Sequence, residues 1–164
     1  MKQVSAPWRI QYILGKKSKK CFLCINKRRD SKKKKLILAE TLHCYVILNK
    51  YPYTSGHLMV IPKKHVADLD GLTQEELTDF FLLVRAAAAA LKKALRPDGL
   101  NMGVNLGKVA GASAEDHFHF HIVARWNGDH NFMPVIGNTM VISEYLEETY
   151  KRLLPYFQKL EIKL

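Results

Sequence analysis

Apolar and polar residues change rhythm several times along this chain. From Leu36 the apolar positions come in short runs, Leu36-Ile37-Leu38, Cys44-Tyr45-Val46-Ile47-Leu48 and His57-Leu58-Met59-Val60-Ile61, separated by the turn formers Asn49, Pro52, Ser55-Gly56 and Pro62. Runs of this length between turn residues predict strands, and their close succession predicts an antiparallel meander. At Thr73 the period lengthens. Thr73 with Glu76 is a capping-box pattern, and Leu77, Phe80, Phe81, Val84, Ala88, Leu91 and Leu95 recur at helical spacing until Pro97-Asp98-Gly99, so one long amphipathic helix is expected. The Ala86 to Ala90 run inside it suits helix propensity or close packing. A strand over Leu100 to Asn105 then leads into the small-residue loop Gly107 to Ser113, and His117 to Val123 returns as another strand. After Pro134, Ser143 opens a second helical pattern through Tyr145, Leu146, Thr149, Leu153 and Leu154, which Pro155 is expected to end or kink.

Residues 1 to 35 stand outside this pattern: scattered apolar anchors, a pair of cysteines and two lysine-rich clusters, read as a basic arm ahead of one domain over residues 36 to 164. The whole chain, 164 residues and 48% hydrophobic, is the size of a single ordinary domain with a real core. Lys and Arg outnumber Asp and Glu by 26 to 15, a formal charge of +11. Three readings fit the clusters: a solvated loop, a means of concentrating a polyphosphate substrate, or nucleic-acid binding, which is not expected as the main role. The apolar runs are short and broken by charge, and no signal-peptide pattern opens the chain, so a soluble cytoplasmic protein with no membrane partner is expected. Three cysteines, with Cys44 lacking an obvious mate, fit a reducing compartment better than a disulfide framework.

The candidate chemistry centres on His117-Phe118-His119-Phe120-His121. In a strand, alternate side chains share a face, which puts three imidazoles opposite an apolar core. A metal site, simple exposure to water and catalysis would each produce that alternation. Same-face strand neighbours are about 7 Å apart, too wide for all three to ligate one ion without distortion. The small-residue loop before the histidines and the Arg125-Trp126-Asn127-Gly128-Asp129 turn after them favour catalysis over exposure.

The segment His117 to Val123 resembles the His-φ-His-φ-His-φ-φ signature of the histidine-triad (HIT) nucleotide hydrolases and transferases. The resemblance extends to Asn49, to Gly56-His57-Leu58-Met59-Val60-Ile61-Pro62-Lys63-Lys64-His65 and to Asn105-Leu106-Gly107, and so covers about Leu36 to Arg125. Trp8-Arg9 and Arg125 to Pro134 look like the microbial branch that contains diadenosine tetraphosphate phosphorylases. Ala124 departs from the pattern, because many members carry proline there, which puts the local turn geometry in question.

The resemblance implies an α+β fold, an antiparallel sheet with one long helix packed on it and a C-terminal helix, paired as a homodimer whose sheets join. It implies that His119 attacks the α-phosphate of a dinucleoside polyphosphate to form a nucleotidyl-histidine, which water or phosphate then resolves. An imidazole whose other nitrogen is held by a hydrogen bond is a competent nucleophile. His121 and His57 are expected to donate to non-bridging oxygens or help neutralise the developing charge, Asn49 to contact the ribose, Asn105 the phosphate region, and Gly107, Lys108 and Ser113 to cradle the phosphate. No catalytic metal is expected. Cys21-x-x-Cys24 on its spacing fits a zinc pair, free thiols or a redox pair. The resemblance adds His65 and His117 as completing ligands of a structural zinc. Phosphoramidate hydrolysis and a nucleotide-binding signalling module with little turnover are the alternatives, with processing of adenylated nucleic-acid ends a more distant one.

Overall fold

The computed structural model describes residues 21–25, 31–32, 35–112, 114–129, 142 and 144–160. Among the described residues five strands form one sheet: β1 (Ile37–Glu40), β2 (Cys44–Leu48), β3 (Leu58–Pro62), β4 (Gly99–Val104) and β5 (Phe120–Arg125). Their order is β1-β2-β3-β5-β4, and every neighbouring pair is antiparallel. The expected meander is therefore its first three strands, while β5 enters between β3 and β4 and leaves β4 at an edge.

Helix α1 (Gln74–Leu95) follows β3 and a 3-10 turn at Leu69–Gly71. Thr73 caps it in a complete capping box: the Thr73 N–H donates to Glu76 Oε2 at 2.8 Å and the Glu76 N–H to Thr73 Oγ1 at 3.3 Å. These bonds satisfy donors that the first turn would otherwise leave bare. At its other end Arg96 adopts the left-handed conformation and closes the helix ahead of Pro97. Its buried face is Phe80, Leu83, Val84, Ala87, Ala88, Ala90 and Leu91. Phe81, read as part of the apolar stripe, is instead 48% exposed, with Leu83 buried in its place. Ala87, Ala88 and Ala90 thus serve packing, bringing helix and sheet backbones close, while Ala89 is exposed.

Helix α2 (Leu146–Gln158) packs beside α1 and β1 and buries Tyr150, Leu153 and Phe157. Pro155 does not end it but lies inside it, near the C-terminal end. The two helices and one face of the sheet enclose the main core, from Val46, Leu48, Leu58 and Val60 to Phe118 and Ile122. On the opposite face Ile37, Tyr45, Ile47, Met59 and Ile61 form a second cluster, and Leu23 from the segment ahead of β1 is buried on it. No helix among the described residues is long and apolar enough to cross a membrane.

The strand expected over His117 to Val123 begins only at Phe120. His117 and His119 lie just before it, where the Phe118 N–H donates to the Val66 carbonyl instead of to a ladder partner. Ala124, where a turn was in question, is an interior residue of β5 paired with Leu100, and the turn comes after Trp126 with Gly128 at φ 73°.

Candidate functional site

Gly56 sets the approach to β3. Its φ is +78°, and a Cβ there would lie 2.3 Å from the Leu95 side chain, so neither the conformation nor the space admits another residue easily. The next residue, His57, is fully buried. Its Nδ1 accepts the Tyr53 backbone N–H at 3.1 Å, and Asn49 Nδ2 lies 3.3 Å from the same nitrogen. A backbone N–H is always a donor, so the proton of neutral His57 sits on Nε2. That nitrogen is 2.9 Å from His121 Nδ1, which must then accept, leaving the N–H of neutral His121 on Nε2. Burial, then the neighbouring His121 and His119, pushes the His57 pKa down to about 3, and burial followed by His119 pushes that of His121 down to about 4. Both rings are therefore neutral donors near neutral pH.

Backbone acceptors fix the other two rings in the same way. His119 Nδ1 lies 2.8 Å from the carbonyl oxygen of His117, so Nδ1 carries the proton and Nε2 keeps a free lone pair. His117 Nε2 donates to the carbonyl of Pro62 at 2.9 Å, which leaves its Nδ1 unprotonated. The rings of His119 and His121 are edge to face with centroids 4.8 Å apart. A lone pair on one ring thus stands beside an N–H donor on the next, a pairing suited to attack on an electrophile that bears negative oxygens.

His117 Nδ1 belongs to a second constellation. The ligand atoms of Cys21, Cys24, His65 and His117 all lie within 4.8 Å of one another. Cys21 Sγ and His65 Nδ1 are each 3.3 Å from His117 Nδ1, Cys24 Sγ is 3.6 Å from it, and Cys24 Sγ is 3.4 Å from His65 Nδ1. Tetrahedral zinc bound by two sulfurs and two nitrogens has ligand-to-ligand edges of about 3.3 to 3.8 Å. These four distances and the donor set fit such an ion, and the Pro62 carbonyl supplies the outer hydrogen bond that fixes a ligating imidazole. Burial and then the adjacent Cys21 push the Cys24 thiol pKa up, and a bound dication would reverse that. Leu23, between the two cysteines, anchors them to the sheet.

A groove of about 340 Å³ opens beside His121, between β4 with β5 and the loop at Tyr53-Thr54. In its wall Arg125 forms a two-pronged ion pair with Asp129, at 2.5 and 2.9 Å, and donates from Nη1 to Asn101 Oδ1 at 2.7 Å.

Comparison with known proteins decides the family, because the HIT domain matches residues 30–128. The chain belongs to the HIT family. Among its relatives is an AP-4-A phosphorylase of Mycobacterium tuberculosis, 43% identical over 119 residues, covering 73% of this chain and 60% of that protein. This chain thus spans about 60% of the length of that relative. An adenosine 5'-monophosphoramidase of Schizosaccharomyces pombe is 36% identical over 57% of this chain and 66% of its own length. Among solved structures, a zinc-bound HIT protein from Mycobacterium smegmatis matches with a TM-score of 0.61 and 28% identity, covering 76% of this chain and 85% of its own.

Against this HIT framework the sequence expectations fall out unevenly. His57, His119 and His121 come together as a row, with His57 buried, its Nδ1 engaged by the Tyr53 N–H and its Nε2 by His121. Asn49, besides lying against His57, accepts the Tyr51 N–H at 2.9 Å as a turn former does. Asn105 lines the groove, and Gly107 starts a 3-10 turn, Lys108–Ala110, on which Lys108 is exposed. Ser113, Trp8, Arg9, most of the basic arm and residues 130–134 lie outside the described residues. Sequence reasoning missed Tyr53, which stacks on His57 with ring centroids 4.6 Å apart. Its signal was one of two tyrosines, Tyr51 and Tyr53, in the turn just ahead of that histidine. The Pro62 carbonyl left no signal at all.

Proposed function

We propose that this HIT protein is an enzyme that transfers a nucleotidyl group through His119, with dinucleoside polyphosphates such as diadenosine tetraphosphate as the favoured substrates. The observation that carries the reading is the bond from His119 Nδ1–H to the His117 carbonyl, which leaves Nε2 as a nucleophile. In the first step Nε2 forms a bond to the α-phosphorus while the bond to the bridging oxygen breaks, and the leaving nucleotide departs with the electron pair. In the second, water or inorganic phosphate attacks the same phosphorus and His119 is released. His121, held by His57, donates from Nε2 to a non-bridging oxygen on which charge grows. Asn105, Gly107, Lys108 and Ser113 are assigned to the phosphates and Asn49 to the ribose and to His57. The AP-4-A phosphorylase relative supports phosphorolysis as the second step.

His119→Ala should reduce turnover of diadenosine tetraphosphate on the order of a thousandfold or more while nucleotide binding persists. A protein that binds nucleotide but shows no turnover to lose would be a signalling module, and the reading would fail. Product analysis separates the acceptors: ADP that appears only with added phosphate identifies phosphorolysis. The phosphoramidase relative favours a second reading, hydrolysis of nucleoside phosphoramidates, which the same nucleophile would perform.

The cluster of Cys21, Cys24, His65 and His117 is assigned to a structural zinc. Bound there, the ion would supply cross-linking between the segment at 21–25 and the sheet, with no part in the chemistry. Its thiolates suit a reducing compartment, the cytoplasm. A second copy of the chain would pair at β4, an edge strand whose Met102 and Val104 are 43% and 36% exposed although their strand partners face the core.

A further inference from the structure

The row of histidines accounts for one nucleotide and leaves the groove beside it without a role. This groove, about 340 Å³, is bounded by Tyr53, Asn101, Gly103, Asn105, His121 and Arg125, and its volume lies in the range of sites for small organic ligands. It begins at His121, whose Nδ1 is taken by His57, and runs away from His119 along β4 and β5.

Its walls are mostly apolar by area and almost without net charge. Arg125 lies there, yet Asp129 grips it with two hydrogen bonds and balances its charge, and its Nη1 holds Asn101 Oδ1. Since a guanidinium only donates, the Asn101 amide must point its oxygen at Arg125, and its amino group is what it has left to offer. A fixed amide at Asn101 suits the donor and acceptor edge of a heterocyclic base better than it suits a further phosphate. At the mouth, Tyr53 lies against His57 and is 49% exposed, an aromatic surface on which a base can stack. Gly103 is the floor. It pairs directly with His121, so any side chain at 103 would project from the same face as that ring, and a Cβ added there meets nothing within 4 Å.

We propose that the groove between β4 and the Tyr53 loop is the subsite for the nucleoside on the departing side of a two-nucleoside substrate, and that Gly103 keeps it open. Resting on the nucleotidyl-transfer reading, this assigns the preference for dinucleoside polyphosphates to a place: one nucleotide is transferred at His119, and the base of the other lies over Gly103 between Tyr53 and Asn101.

A volume series tests it. Gly103→Ala, Gly103→Val and Gly103→Leu, in the full chain with folding checked by circular dichroism, are assayed on diadenosine tetraphosphate and on adenosine 5'-phosphoramidate, whose leaving group is no larger than ammonia. The expected result is a stepwise fall in the ratio of kcat/KM values, diadenosine tetraphosphate over phosphoramidate, reaching tenfold or more at the largest variant that folds, with the loss in KM. A ratio that stays constant overturns the subsite, whether both activities fall together, as damage to His121 would cause, or neither changes, as a solvent-exposed second base would give. If the unsubstituted chain cleaves the phosphoramidate but not the dinucleotide, the subsite and the dinucleotide preference fail while nucleotidyl transfer through His119 stands; if it cleaves neither, the nucleotidyl-transfer reading fails and takes the subsite with it.

Discussion

At the scale of single residues, the site depends on which ring nitrogen carries each proton, and backbone groups decide it. The imidazole of His57 illustrates the energetic consequence. Its ordinary pKa, 6.5, is pushed down to about 3 in the folded protein, chiefly by burial, so between those values the unfolded chain binds a proton that the folded chain refuses. The stabilisation is complete above about pH 6.5 and is lost as pH falls toward 3. Thermal melts from pH 7 to pH 4 should therefore show a falling Tm, and the slope should be shallower in His57→Leu, which has no proton to bind. The identity of these histidines was legible in the sequence, because alternation with Phe118 and Phe120 and the small-residue loop before them are local signals. Their tautomers were not, since the Tyr53 N–H and the Pro62 carbonyl arrive from other segments and every residue type carries the same backbone groups.

At the scale of elements, α1 was the most legible because its evidence is local, a cap, a period and a stop. Thr73→Ala should cost about 1 kcal/mol in urea unfolding by removing the hydrogen bond to the Glu76 N–H. One route from the helix to the site runs through Phe80. Phe80 is fully buried with its ring 5.3 Å from that of Phe118, the residue between the two histidines that precede β5. Phe80→Ala should cost about 3 to 5 kcal/mol, read by the same denaturation, and should lower turnover by loosening the histidine segment from behind. The start of β5 was not legible, because periodicity reports which side chains face inward and not where the hydrogen-bonded ladder begins. His117 and His119 keep the alternation while the N–H of Phe118 between them serves Val66 and the His117 carbonyl serves a side chain. Pro155 misled for a related reason: a proline close to a helix end removes only one bond near the last turn, and Leu153 and Phe157 hold the turns around it in the core.

For the whole molecule, the second core on the open face of the sheet links the segment at 21–25 to the strands that carry the site. Zinc should bind with about one ion per chain and raise Tm, and a strong chelator should lower Tm and expose Cys21 and Cys24 to a thiol reagent. Cys24→Ser should weaken zinc binding while leaving helix content, read by circular dichroism, intact. The pairing of Cys21-x-x-Cys24 with His65 and His117 could not be read from spacing alone, as the ligands come from three separate parts of the chain. Resemblance supplied it, and the distances now give it a shape.

The hydrogen bonds from Tyr53 through His57 to His121 all point one way. Each ring receives at Nδ1 and gives at Nε2, so the chain has a tail fixed in the backbone and a head turned toward the ligand. Reversing it would leave the backbone N–H of Tyr53 facing another proton, so the row has a built-in polarity. It can only present hydrogen to whatever arrives, and His119, whose ring is anchored through Nδ1 as a donor, is the member left to present electrons. The two neighbours are thus unlike by construction, and exchanging their duties would require rebuilding the backbone that holds them.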